Sequence, residues 1–362
     1  YKNVLEDDCP EFAGSPETLP FALHFDSLIE PTLDGPARDK IAVIYVDGNR
    51  FSKLEDDCAT SESGQKLFDE QLKTFRKKIL VRLLGMLERE GGMGAPSADE
   101  IDERKALGKR DHEKAGVIEI ERIARIETLL WGGDDLMIIV PARLGWRVLQ
   151  ELHELESKVT GKSLSPSHAA GIVFCHHNAP IHRIKTLSED LCRDAKPREG
   201  APSVSRVAFV VLESFDHTGG DTSKFWDARY PDSLIAENLK LEPQQVAKMA
   251  TLISRLKQPD FDGAAYPTRR IRAMAHTLHQ VFQQPLTSDE IQTARELKFT
   301  DENSAKLKPL RRAHNDAYRN YRSELTALFQ PLLDLGMKEA AIWLCIEELW
   351  DYVALKKPGE TS

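Results

Sequence analysis

Three aspartates stand where two buried strands are expected to run out. Asp47 follows the β-branched run Ile41-Ala42-Val43-Ile44-Tyr45-Val46, and Asp134 and Asp135 occupy the turn Gly132-Gly133-Asp134-Asp135. Carboxylates held within a few ångströms of one another repel unless they are protonated or a cation lies between them. Oxygen donors of this kind suit Mg²⁺ or Mn²⁺, which retain several waters and take substrate phosphates as further ligands. Two such ions, about 3.5–4 Å apart, can hold both the attacking and the leaving oxygen of a phosphoryl transfer. Gly132 and Gly133 are expected to permit unusual backbone angles and the close approach of a nucleotide. For Gly-Gly-Asp-Asp alone, a solvated turn is the simpler reading. A strand-terminal Asp47-Gly48-Asn49, correctly placed in the order of elements, favours the metal reading.

The elements that must position these residues follow from hydrophobic period. The run 41–46 predicts a buried strand ending at Asp47. Leu72, Phe75, Ile79, Leu83 and Met86 recur at helical spacing and predict a helix from about Ser61 to Glu90, stopped by Gly91-Gly92. Ile118–Trp131 and Leu136–Val140 read as a hairpin with the Gly-Gly-Asp-Asp turn at its tip. A helix through Leu144, Val148, Leu149, Leu152, Leu155 and Val159 leads to a strand at Ala169–Cys175. Ile181, Ile184, Leu187 and Leu191 mark another helix, ending near Lys196, and Val204–Leu212 a further strand. From Ile41 to Cys175 the order is β-α-β-β-α-β, the ferredoxin-like arrangement of the α+β class. It can set the end of the first strand beside the hairpin tip.

Beyond about residue 230 only helical spacing is found. Stripes at Val246–Leu256, Ile271–Val281, Leu325–Leu332 and Ala341–Val353, with a capping box at Thr287-Ser288-Asp289-Glu290, predict five helices. The expected organisation is an irregular lead-in over 1–39, an α+β domain over 40–214, a linker over 215–230 and a small all-α domain over 231–362.

With 362 residues and 41% hydrophobic content, the chain can build real cores and is not wholly disordered. No apolar run of about 18 residues exists, so no membrane span is expected. Forty-nine Lys+Arg against 58 Asp+Glu give a net charge of −9, which argues against a basic nucleic-acid coat protein but not against a polyphosphate substrate taken with metal. Five scattered cysteines without CxxC spacing fit a reducing cytoplasm and no zinc knuckle or disulfide framework. Tyr1-Lys2-Asn3-Val4 has neither an initiator Met nor a signal-peptide pattern, so an upstream domain is expected to be missing from view. His176 and His177, adjacent on a strand, are expected to point to opposite faces and not to share an ion.

The segments Val43–Phe51 and Trp131–Leu136 resemble the two signature segments of CRISPR-associated palm-domain polymerases, the large subunits of type III CRISPR effectors and their standalone relatives. Their palm is similar to that of GGDEF diguanylate cyclases. The strand Ala169–Cys175, then Ala179-Pro180-Ile181 and a helix ending Asp194-Ala195-Lys196, resembles a third family feature. The resemblance covers about residues 40–212. It implies a GGDEF-like nucleotidyl cyclase palm in which Asp47, Asp134 and Asp135 bind two divalent metals. It further implies that the Gly48 carbonyl completes a metal site and that Lys196 neutralises the triphosphate. Asn49 and Phe51 are candidates for base or sugar contact, with the core as the other place for Phe51.

The implied activity is conversion of NTPs, with ATP the expected substrate, into short cyclic or linear oligonucleotide signals in prokaryotic antiviral defence. The alternatives are a GGDEF-like cyclic dinucleotide synthase, or a non-catalytic nucleotide-sensing or RNA-binding palm subunit. The family's HD nuclease and zinc module have no counterpart here, and Phe51-Ser52-Lys53-Leu54 replaces the GGDEF guanine-reading pattern. From Tyr266 to Arg322 the chain carries 11 Lys+Arg against 6 Asp+Glu. These basic helices are a candidate face for RNA or effector-complex subunits, and the palm a candidate homodimer contact.

Overall fold

The computed structural model describes residues 21–29, 35–58, 60–103, 122–132, 134–159, 167–198, 202–213, 228–300 and 304–353. The Gly219-Gly220 pair, the Asp111-His112-Glu113 segment and Gly133 lie outside the described residues, as does most of the lead-in. Two compact units divide the chain, Tyr1–Ser205 and Arg206–Ser362. The strand expected at 204–212 is found at Arg206–Val211 and falls with the second unit.

The first unit begins with one helical turn, α1 (Phe25–Leu28), and the strand β1 (Lys40–Gly48). A short helix α2 (Phe51–Cys58) precedes the long α3 (Glu62–Arg89), which Ser61 caps by accepting from Gly64 N. The expected single strand over 118–131 is instead two: β3 (Ile123–Ala124) pairs with β2 (Met93–Gly94), and β4 (Glu127–Gly132) joins the main sheet. Between them the Arg125 guanidinium reaches the carbonyls of Ser27 and Ile29, which draws the chain out of a continuous strand. β5 (Asp135–Pro141), α4 (Ala142–Val159), β6 (His168–His176) and α5 (Ile181–Ala195) follow.

Within this unit the hydrogen-bonded order is β4-β5-β1-β6, with every pair antiparallel. This is the sheet of a βαββαβ fold, and β1 lies inside it. β1 is accordingly apolar on both faces, from Ile41 to Ile44. The two faces carry different helices. On one, Gly145 of α4 comes so near Ala42 of β1, and Ile172 and Phe174 of β6, that a side chain there would clash. On the other, Gly171 of β6 lies directly under the backbone of Ser188 and Cys192 in α5. Residues alternate across a strand, so Tyr45 and Asp47 fall on the α5 face. α3 and α4 are tied by Glu151, which is 1% exposed and paired with Arg82, Arg89 and Arg147.

His177 lies just past the end of β6, where the chain turns. The two histidine rings are therefore tilted together at 4.5 Å rather than set on opposite faces. His177 is held by the Asp39 carbonyl at 2.9 Å and by Asp26 at 2.9 Å, a structural arrangement.

The second unit opens with β7 (Arg206–Val211), and the other regular elements among its described residues are helices. Its helices are α6 (Ser233–Asn238), α7 (Pro243–Leu256), α8 (Thr268–Phe282), α9 (Ser288–Glu296), α10 (Lys308–Tyr318), α11 (Arg322–Leu333) and α12 (Glu339–Leu349). α6 and α10 add to the five expected. The capping box at Thr287 and Glu290 is formed, and α12 is buried almost all round, from Ala340 to Ile346. No helix among the described residues is long and apolar enough to cross a membrane.

Candidate active site

The β1–β5 ladder ends at Val46 opposite Leu136, so one step further along the same register Asp47 faces Asp135. The hairpin closes by pairing Gly132 with Asp135, which brings Asp134 over the end of β1. There Gly48 leaves room for the hairpin: a Cβ on it would lie 2.8 Å from Asp134 Oδ2 and 3.2 Å from Phe51 Cβ, and the Asp134 side chain would have to shift. The chain then enters the left-handed region at Arg50, with φ of 57°, and turns into α2.

Each acid has its own surroundings. Asp47, 22% exposed, accepts from Lys196 Nζ at 2.6 Å. Lys196 is the C-cap of α5, delivered because α5 crosses the face that carries Asp47. Asp135 accepts from the Tyr45 hydroxyl at 2.8 Å. Burial, that hydrogen bond and the charges of Asp135 and Asp47 push the Tyr45 hydroxyl far up, so it stays a donor. Loss of water pushes the Asp134 carboxyl above the ordinary carboxylate range. Asp47 and Asp135 push the same way, against its own backbone N–H and Lys196. Beneath the site the Cys192 thiol is raised to about 12 by burial and by Asp47. It donates to the Ala169 carbonyl at 3.3 Å, which marks it as an inert core group.

A cleft of ≈ 460 Å³ opens beside Asp134, lined by Phe51, Glu55, Asp69, Lys73 and Arg76 among others. Burial lowers the Arg76 guanidinium, while Asp134 and Asp69 hold it up. Phe51 is half-buried, with its ring tilted on Phe68 at 5.4 Å, so it belongs both to the cleft wall and to the packing. Asn49 has a different task from the one expected. Its amide donates to Ser167 Oγ at 3.2 Å and the Val204 carbonyl at 3.1 Å, tying the end of β1 to the residue before β6 and to Val204. Gly132 is not in the left-handed region, contrary to the unusual backbone expected there. Among the described residues nothing lies within 4 Å of where its Cβ would stand, so the turn is open at this point.

Thus Asp47, Gly48, Asp134, Asp135, Phe51 and Lys196 come together, and Asn49 serves the scaffold. Tyr45 and Arg76 are the residues that sequence reasoning missed. Tyr45 could have been found from its position two residues before Asp47, hence on the same face.

Among the described residues no group of three His, Cys, Asp or Glu side chains is arranged to hold a metal ion. The donor set nevertheless fits a hard divalent cation. Its side-chain donors are all carboxylate oxygens, and Asp134 is raised in part by its two acidic neighbours, a repulsion that a cation would relieve.

A βαββαβ sheet with acids at the end of its first strand and on its central hairpin defines a palm domain. Residues 40–204, a little under half of the chain, match the family model of the Cas10/Cmr2 second palm domain. Among solved structures, the crystal structure of Csm1 in T. onnurineus is similar at 15% identity with a TM-score of 0.48. The match covers 92% of this chain and 40% of that one, so the chain spans two-fifths of the length of Csm1. Among curated proteins there is no match.

Proposed function

We propose that this palm is a metal-dependent nucleotidyltransferase that joins NTPs, ATP first among them, into short cyclic or linear oligonucleotides as part of a type III CRISPR effector. The observation that carries the reading is the junction of Asp47, Asp134 and Asp135 at one sheet edge, with Lys196 on the first and Tyr45 on the last. Asp47, Asp134, Asp135 and the Gly48 carbonyl are the proposed ligands of Mg²⁺ or Mn²⁺. When bound, such an ion supplies the charge that activates a 3′-hydroxyl and steadies the α-phosphate.

The residues of the chain do the rest. Tyr45 fixes the Asp135 carboxylate, and the bare Gly48 backbone lets Asp134 close over the strand end. Lys196 exchanges Asp47 for the departing pyrophosphate as the 3′-hydroxyl gives its proton to solvent, the new 3′-O–Pα bond forms and the Pα–O bond to pyrophosphate breaks. Positioning and charge neutralisation provide most of the rate in this chemistry, without a dedicated protein base.

A non-catalytic nucleotide sensor is the second reading. The Lys196–Asp47 ion pair favours it, because it satisfies Asp47 without a metal. Incubation with each NTP and Mg²⁺ or Mn²⁺, followed by mass spectrometry, tests the first reading. Titration with a non-hydrolysable NTP separates the two, since binding without product identifies a sensor.

The exposed Arg269, Arg272, Lys308 and Arg312 of the helical unit are the proposed contacts for RNA or a neighbouring effector subunit. Part of the basic excess has structural work. Arg270, Arg311 and Lys306 donate to the carbonyls of Arg319, Thr300 and Pro285.

A further inference from the structure

A second cleft, ≈ 440 Å³, lies between α3 and the outermost strand β4, lined by Lys73, Arg76, Lys77, Leu129, Leu130 and Trp131 among others. It shares Lys73 and Arg76 with the cleft that contains Asp134. Each cavity is large enough for one nucleotide, and the shared cations stand where the two join. Lys73, Arg76 and Lys77 are spaced to lie on one face of α3. Across from them the β4 register slips between Thr128 and Leu130, and Leu129 is 42% exposed. A bulge of this kind interrupts the ladder and disfavours addition of a peptide strand at the edge. It leaves apolar and aromatic surface facing cations, the composition of a single-strand nucleic-acid groove.

We propose that the two clefts hold adjacent nucleotides of one single-stranded oligonucleotide, with Lys73 and Arg76 on the connecting phosphate, Lys77 on the phosphate of the outer nucleotide, and Leu129 and Trp131 under the outer base. The groove is then the path of a growing or finished chain away from Asp134. The proposal rests on the nucleotide reading of the Asp134 cleft and adds a second subsite to it.

The test is fluorescence anisotropy of a labelled linear tri-ribonucleotide beside titration with a non-hydrolysable ATP analogue, both with Mn²⁺. The variants are Lys77→Glu, Trp131→Leu and the exposed Leu129→Asp, each checked for an unchanged melting temperature. Lys77→Glu should weaken trinucleotide binding and make its log–log salt slope shallower by about 0.7, one phosphate contact on a single strand. Trp131→Leu should cost about fivefold or more in the same binding, and Leu129→Asp should weaken it in the same direction. The ATP analogue should bind all three variants as it binds the wild type. Unaltered trinucleotide affinity and slope, with the analogue still bound, would overturn the second subsite and leave the Asp134 site standing. Capture of an acidic peptide with no trinucleotide binding would overturn it as well. Wild-type protein that binds neither probe would overturn both readings.

Discussion

Three carboxylates of the helical unit and the three at the palm edge are treated in opposite ways. Glu339, Glu348 and Asp232 are each surrounded by donors. Glu339 accepts from Tyr318 at 2.7 Å, and from His314 and Trp343 at 3.3 Å. Glu348 is held by Arg229 and Tyr230. Asp232 takes three bonds from Arg295 and caps α6 through Ile235 N. At the palm edge, three aspartates share Lys196 and Tyr45, and Asp134 is raised by burial and by its neighbours. Acids matched to donors stabilise a fold. Acids gathered with too few donors cost stability and call for a cation, which is the signature of a site.

Substitutions on the two sides of this comparison should therefore separate stability from activity. The largest effect is expected from Asp47→Asn, which should reduce nucleotide turnover by about 10²-fold or more while the protein melts normally. A product assay paired with a thermal melt reads both quantities. Next comes Glu339→Ala. It strands the Tyr318 hydroxyl and the Trp343 N–H in the core and should destabilise the helical unit by about 1–3 kcal/mol, measurable by chemical denaturation. Nucleotide binding by the palm should survive it. Lys196→Ala should weaken NTP binding about tenfold, the size of one lost charge-assisted contact, as read by calorimetry.

The smallest effects lie in pH dependence, and their signs oppose one another. Asp134 is raised in the folded state, so the metal-free protein loses stability as pH rises through the carboxylate range. In chelator, Asp134→Asn should melt above wild type at neutral pH, with the gap closing in acid. Burial pushes Glu237 up, but Arg206 and Lys240 together hold it below its ordinary value. Its contribution is present above the unfolded pKa and lost as pH falls through the folded one. Glu237→Gln should therefore melt below wild type at neutral pH, and that gap should also close in acid. A pair of melting curves against pH checks the two signs together.

Much of this contrast was legible before the structure. The strands at 41–46, 136–140 and 169–175 are continuous apolar runs, and the long helices have clear stripes, so the βαββαβ order followed directly. The junction of Asp47 with Asp134 and Asp135 followed from that order. The elements missed lack such a signal. α2 reads Phe51-Ser52-Lys53-Leu54-Glu55-Asp56-Asp57-Cys58, and α10 begins Lys308-Pro309-Leu310-Arg311-Arg312; both look solvated by composition. The contact of Lys196 with Asp47 depends on α5 lying on the face opposite α4, which no local period specifies. Asn49 looked like a ligand residue because it follows Asp47-Gly48, yet its amide is engaged by Ser167 and Val204, far along the chain.

The most direct test of the central claim is metal-dependent turnover of α-labelled ATP by wild type and by the Asp134→Ala, Asp135→Ala double variant, with melting followed in parallel. The account predicts labelled oligonucleotide and pyrophosphate from wild type in Mg²⁺ or Mn²⁺. It predicts neither product from the double variant, whose melting temperature should stay near that of wild type because relief of carboxylate repulsion offsets the lost Tyr45–Asp135 bond. Turnover that persists undiminished in the double variant would contradict it.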